Sequence, residues 1–142
     1  MSDDDLYQAV ILDHDRAPRN LGPLPAASHH ATIDNPLCGD VVTIHARVDH
    51  GVVRELAFEA RGCALSRAAA SIVTTLVRDR SLDDARALAA AFERFVHAPP
   101  DAALPDDLGE LRAFAGVRRA RSRRVCATLA FRALVRALDG AV

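Results

Sequence analysis

The 142-residue chain has no lysine and no tryptophan; all 18 basic residues are arginine, and the aromatics are one tyrosine and five phenylalanines. So few large rings leave a core to be built from Ala, Leu and Val, with Ala alone taking 28 positions, and small side chains favour closely packed helices. Long apolar runs are missing too: no stretch nears the ~18 consecutive apolar residues of a membrane span, so no membrane partner is expected. The start, Met1-Ser2-Asp3-Asp4-Asp5, lacks the basic residues that open a signal peptide, and a cytoplasmic protein is expected. Cysteine is scarce and odd in number. Cys38, Cys63 and Cys126 stand 25 and 63 positions apart, a poor disulfide framework but a reasonable set of separated metal ligands or catalytic thiols. What is present, 50% hydrophobic and 26% charged, is the composition of one globular domain over residues 1–142.

Charge is nearly balanced overall and unbalanced along the chain. Residues 1–110 carry 10 Arg against 18 acids, and residues 111–142 carry 8 Arg against one. Five arginines fall within seven positions, at 118, 119, 121, 123 and 124. A solvated helix entry is the plain reading. A nucleic-acid partner is not expected, because no aromatics interleave the arginines and no binding motif accompanies them. The cluster ends two residues before Cys126, where guanidinium groups favour a thiolate and an acidic protein partner.

The pattern reads helix, then strands, then helices. Ser2 and Asp5 form a capping-box pair, with Leu6, Ala9, Val10 and Asp13 following at helical spacing until Pro18. Residues 17–26 hold three prolines and one glycine and read as an irregular connector. A strand is expected around 28–33. Val41 to Val48, the turn Asp49-His50-Gly51 and Val52 to Phe58 then predict a hairpin. Helices are expected at about 65–78, after Ser81 with Leu88, Phe92 and Phe95 inward, and at 107–115, ending at Gly116. A last helix is expected from Ser122 to an Asp139-Gly140 stop. Strands first and helices after predict an α+β fold.

Residues with chemistry sit at the element boundaries. Cys38-Gly39-Asp40 precedes the hairpin, Gly62-Cys63 stands where it gives way to a helix, and Cys126 is expected in the first turn of the last helix. Each cysteine taken singly also suits plain packing. Together, three thiolates and a carboxylate suit four-coordinate zinc, and the same thiolates suit an iron–sulfur cluster. Helix N-termini at Cys63 and Cys126 are expected to favour their thiolates. Four protein ligands leave no open position for an activated water, so the chemistry expected is that of sulfur. The histidines His29, His30, His45, His50 and His97 show no metal-ligand spacing, and His14 is expected to pack or hydrogen-bond at a helix end. Ser66 and Ser71 have no His–acid pair placed with them and suggest no triad.

Leu6-Tyr7, Asp13-His14, Pro18-Arg19-Asn20, Gly22, Asn35-Pro-Leu-Cys-Gly-Asp40, Gly62-Cys-Ala-Leu-Ser66, and Arg123 with Cys126-Ala-Thr-Leu-Ala130 resemble the SufU/IscU (NifU N-terminal-like) family of iron–sulfur cluster assembly proteins. The long Cys63–Cys126 segment looks like the SufU branch. The resemblance implies a small antiparallel sheet of about three strands flanked by helices. It also implies a metal site of Cys38, Asp40, Cys63 and Cys126 that holds zinc or, alternatively, iron or a [2Fe–2S] cluster. In that branch the protein accepts persulfide sulfur from a PLP-dependent cysteine desulfurase of the SufS type and passes it to a downstream iron–sulfur scaffold complex. The activity implied is that of a sulfurtransferase-type persulfide acceptor and desulfurase activator. Cys38 is the implied acceptor, and Arg123 the implied support for thiolate charge or partner contact. The alternatives are a scaffold that assembles and donates a [2Fe–2S] cluster, and a structural zinc module that binds a partner through its arginines. The chain departs from the family pattern at Val125 (usually Lys), Ala120-Arg121 (often Phe-Pro), Asp15 (usually Tyr) and Phe131 (usually Trp).

Overall fold

A computed structural model describes residues 3–140. Helix α1 (Asp3–Arg16) leads through an irregular connector to strands β1 (His29–Asn35), β2 (Asp40–Asp49) and β3 (Val52–Arg61). Helices α2 (Ala64–Val77) and α3 (Leu82–His97), a 3-10 segment (Asp106–Arg119) and helix α4 (Arg121–Asp139) complete the order. Pro18 stops α1, because the residue before a proline avoids helical dihedrals. Ser2 lies outside the described residues, as do the side chains of Asp3 and Asp4, so the capping pair is not seen there.

The strands form one antiparallel sheet in the order β1-β2-β3. The first strand pairs over its full length, from His29 opposite Ala46 to Asn35 opposite Asp40, and so runs two residues beyond the expected 33. One face is apolar: Val42, Ile44, Ala46, Leu56 and Phe58 are buried, and α2 and α4 pack across the strands. The opposite face is polar, with Thr32 Oγ1 2.7 Å from Thr43 Oγ1, His45 on Glu59 at 2.8 Å and Arg47 on Glu55 at 2.7 Å. This alternation is that of a half-covered antiparallel sheet. The connector shields the β3 edge: the Phe58 amide donates to Asn20 O at 2.9 Å, and the Gly22 amide donates to Phe58 O at 2.8 Å.

Alanine does let the helices approach, with Ala68, Ala69 and Ala70 on α2 and Ala127, Ala130 and Ala133 on α4 all fully buried. The phenylalanines nevertheless anchor the core. All five are buried, and the Phe92 ring lies 6.1, 5.9 and 5.4 Å from those of Phe95, Phe114 and Phe131. Each contributes about 1.5–3 kcal/mol on burial, so a few rings outweigh many alanines. Ser81 caps α3, its Oγ accepting the Asp84 amide at 3.1 Å.

Two local expectations need correction. The helix expected at 107–115 is 3-10 in character, is broken at Gly109 (φ 55°, ψ −131°) and runs past Gly116 to Arg119. Gly116 has no positive φ and so does not end it. Burial of Val117 and Arg118 carries the segment on. Arg118 is also not part of a solvated helix entry. Its guanidinium donates to Pro100 O at 2.8 Å and Ala102 O at 3.1 Å, and lies 5.1 Å from the centroid of the Phe95 ring. It therefore ties down the proline-rich loop.

Candidate metal and thiol centre

The β1–β2 turn carries Cys38. Asn35 and Asp40 close the ladder, leaving Pro36-Leu37-Cys38-Gly39 as the loop. Asn35 shapes it: its Oδ1 accepts the Leu37 amide at 3.2 Å, and its carbonyl accepts the amides of Cys38 at 3.2 Å and Gly39 at 2.8 Å. Gly39 takes φ +76° there, a dihedral that costs glycine little. Cys38 is exposed on this tip beside Leu37, which is 95% exposed.

Asp40, the first residue of β2, is buried. Cys63 is the N-cap of α2, with extended dihedrals and no side-chain cap bond. Its amide donates to Asp40 Oδ1 at 3.0 Å, and its thiol to Asp40 Oδ2 at 3.1 Å. Cys126 comes from α4. That helix begins at Arg121, so Cys126 lies in the second turn rather than the first. Its sulfur is 3.9 Å from that of Cys38. Three of the four residues singled out in the sequence, Cys38, Asp40 and Cys126, thus bring ligand atoms within 4.8 Å of one another, and Cys63 lies beside them against Asp40 without joining that group.

Electrostatics differ sharply across the centre. Burial alone would raise the Asp40 pKa, but hydrogen bonds from the Ser66 hydroxyl, the Cys63 thiol and amide, and the Cys126 thiol hold it at about 2. Asp40 is a carboxylate at neutral pH. Cys126 moves the other way. Burial pushes its thiol up, and the Asp40 carboxylate and the Cys63 and Cys38 thiols add to the rise. Neither a helix N-terminus nor nearby arginines overcome this, contrary to the expectation of a dipole-stabilised thiolate. A thiolate at Cys126 requires a cation beside it. Two sulfurs and a carboxylate within 4.8 Å of one another, with the Cys63 sulfur beside that carboxylate, are donors of the kind that zinc takes.

A cleft of about 910 Å³ opens over the centre, lined by Leu37, Cys38, Cys63 and Leu65 on one side and by Arg121, Arg123 and Val125 on the other. Arg123 is exposed and lines this cleft. Arg124 is half-buried, and its Nε is enclosed without a hydrogen-bond partner among the described residues.

Two residues of the Gly62–Ser66 motif have roles in this site that the sequence reading did not assign to them. Ser66 donates to Asp40 Oδ2 at 2.7 Å; its position three residues after Cys63 in a helix, hence on the same face, was the available signal. Gly62 takes φ +132°, and a Cβ there would overlap the Asp40 carboxylate. Of the other residues considered, His14 is buried, with Nδ1 2.7 Å from Ser71 Oγ and Nε2 3.2 Å from Glu110. His45, His50 and His97 pair with Glu59, Asp49 and Glu93, and the rings of His30 and His45 lie 6.2 Å apart. Asp15 reaches Arg67 at 3.5 Å.

Residues 6–127 match the family described as NifU-like N terminal domain. The chain belongs to that family. Among relatives of this NifU-like domain, the iron-sulfur cluster assembly scaffold protein IscU of Streptococcus pyogenes serotype M1 is 35% identical over 133 residues, covering 94% of this chain and 82% of its own. The zinc-dependent sulfurtransferase SufU of Bacillus subtilis (strain 168) is 34% identical over 132 residues, covering 92% and 88%. A solved structure of a nitrogen-fixing NifU-like protein (N-terminal) from Brucella abortus superimposes with a TM-score of 0.84 at 28% identity, covering 96% of this chain and 94% of that one. The NifU-like domain described here is thus a member of the IscU/SufU group of iron–sulfur cluster assembly proteins. None of its helices is long and apolar enough to cross a membrane among the described residues.

Proposed function

We propose that this NifU-like domain is a zinc-dependent sulfur-transfer protein that takes persulfide sulfur from a PLP-dependent cysteine desulfurase of the SufS type and hands it to a downstream iron–sulfur scaffold complex. The observation that carries the reading is an asymmetry: Cys38 is an exposed thiol on a loop tip, yet its sulfur lies 3.9 Å from the buried Cys126. Cys63 is exposed as well but stands at the start of α2 with its thiol 3.1 Å from Asp40, whereas Cys38 rides on the loop between two strands. The name of the Bacillus relative supports the same reading.

Cys38, Asp40, Cys63 and Cys126 would hold the ion. Zinc, when bound, supplies the positive charge that keeps buried sulfur deprotonated. The remaining steps belong to the chain. The Cys38 thiolate attacks the outer sulfur of the partner's cysteine persulfide. A new S–S bond forms at Cys38, the partner's own S–S bond breaks, and the partner's cysteine leaves as a thiolate, with no net change of oxidation state. Asp40, Cys63 and Cys126 stay fixed by β2, α2 and α4. Arg123, beside the cleft, faces the arriving anionic sulfur, and Leu37 and Leu65 offer apolar contact at the rim.

The second reading is a scaffold that assembles a [2Fe–2S] cluster on the same residues, favoured by the name of the Streptococcus relative. One experiment separates them. The protein is purified without air, its metal is measured, and a SufS-type desulfurase with L-cysteine is added while alanine release is followed. Stoichiometric zinc with faster alanine release is expected. A coloured iron–sulfur chromophore without acceleration would favour the scaffold, and zinc without acceleration would leave a structural zinc module. Cys38→Ala should abolish the acceleration; full activity in that variant would remove Cys38 as acceptor.

A further inference from the structure

Ser66 is fully buried on α2, and its hydroxyl has one proton to give. Asp40 Oδ2 lies 2.7 Å away and the Cys126 carbonyl 3.3 Å away. The shorter distance and the carboxylate's charge decide for Asp40. Serine and threonine in helices commonly donate to a carbonyl of their own helix. Thr74, Thr75 and Thr128 all do so here, to Ser71, Ile72 and Arg124. Ser66 instead reaches out of its helix to strand β2.

That bond completes the restraint of a side chain. Asp40 Oδ1 is claimed by the Cys63 amide, and Oδ2 by the Ser66 hydroxyl and the Cys63 thiol. The amide and the hydroxyl would still be there as donors if a metal ion took the place of the thiol proton. An oxygen that accepts the Ser66 proton along one lone pair keeps a second for the ion. With an independent donor on each oxygen, the carboxylate does not rotate about its Cβ–Cγ bond.

We propose that Ser66 is the positioning residue for the carboxylate ligand: it fixes the Asp40 plane so that one oxygen faces the cysteine sulfurs. The inference rests on the zinc reading and deepens it, since Asp40 is the one oxygen donor in a sulfur-rich set. Loss of a partner of this kind ordinarily costs roughly 10–100-fold in metal affinity.

Zinc affinity, measured by competition with a chromophoric chelator, tests this in wild type, Ser66→Ala, Ser66→Thr, Asp40→Ala and the Asp40→Ala/Ser66→Ala double variant. Circular dichroism of each metal-free chain reports the fold. The expected result is a loss of about 10–100-fold in Ser66→Ala, recovery in Ser66→Thr, which keeps the hydroxyl, and no further loss on adding Ser66→Ala to Asp40→Ala. Unchanged affinity in Ser66→Ala overturns the proposal. So does an equal loss with and without Asp40, or a Ser66→Ala chain that fails to fold without metal, since either makes the residue structural. A wild-type chain that takes up no zinc removes the metal reading itself, an outcome distinct from a failure confined to Ser66.

Discussion

Gly62 and Asp40 occupy space that admits no third group: a methyl built on Gly62 would overlap the Asp40 carboxylate and stand 2.9 Å from the Asp40 Cα. The glycine serves twice, since its φ of +132° is also one that other residues adopt only under strain. Gly62→Ala should therefore push Asp40 out of place and destabilise the chain by about 1–3 kcal/mol. Urea melts of the metal-free protein, with zinc titration of the folded fraction, check both effects. Unchanged zinc affinity would show that Asp40 need not sit where it does.

The cleft arginines should act on encounter rather than on metal. Arg121 and Arg123 are exposed and line the cleft, and neither takes part in an ion pair among the described residues. Arg121→Glu with Arg123→Glu should slow association with an acidic desulfurase face about tenfold. It should also flatten the salt dependence of association while leaving zinc content unchanged. Stopped-flow association at two ionic strengths is the measurement. Lost metal would mean that these side chains belong to the centre itself.

His14 is a structural tie. Its ring is buried between Ser71 of α2 and Glu110 of the 3-10 segment, and Ser71 Oγ also accepts the Arg19 amide at 2.9 Å. His14→Ala removes this link and leaves a void, with an expected cost of about 2–4 kcal/mol. Denaturant midpoints measure it. A shift worth less than about 0.5 kcal/mol, typical of surface positions, would show that α1 is held by other contacts.

Asp13, next to His14, provides a pH signature at the same end of α1. The hydrogen bond from Arg19, 2.7 Å long, and the charge of that guanidinium hold the Asp13 carboxyl below the ordinary aspartate range. A folded-state value lower than the unfolded one stabilises above the unfolded pKa, and the contribution is lost as pH falls through the folded value. Side-chain carboxyl NMR should find Asp13 titrating low, and Arg19→Gln should return it toward the usual range. Because the pair is exposed, added salt should reduce the shift.

Local signals were read well where local physics decides. Pro18 ends α1, Asp49-His50-Gly51 turns β2 into β3, and Ser81 caps α3, each within a few residues of its cause. Gly116 misled because a glycine permits a helix end without requiring one, and the buried side chains of Val117 and Arg118 carry the segment onward. The Phe92 cluster was invisible for a related reason. Composition counted five phenylalanines but not that α3, the 3-10 segment and α4 bring four of them together. The start of α4 was expected at Ser122, one residue from the observed Arg121, and counting from either places Cys126 in the second turn.

By itself, the order of residues determined the α+β element sequence, the family, and the motif cysteines and aspartate to examine, because motif spacing and hydrophobic period are properties of short stretches. Tertiary structure alone decided their unequal circumstances. Cys38 is exposed on a hairpin tip, Cys126 is buried with its thiol pushed up, and Asp40 is held low by donors from α2. Burial and hydrogen bonding between distant segments set these differences, since the cost of a charge depends on everything packed around it.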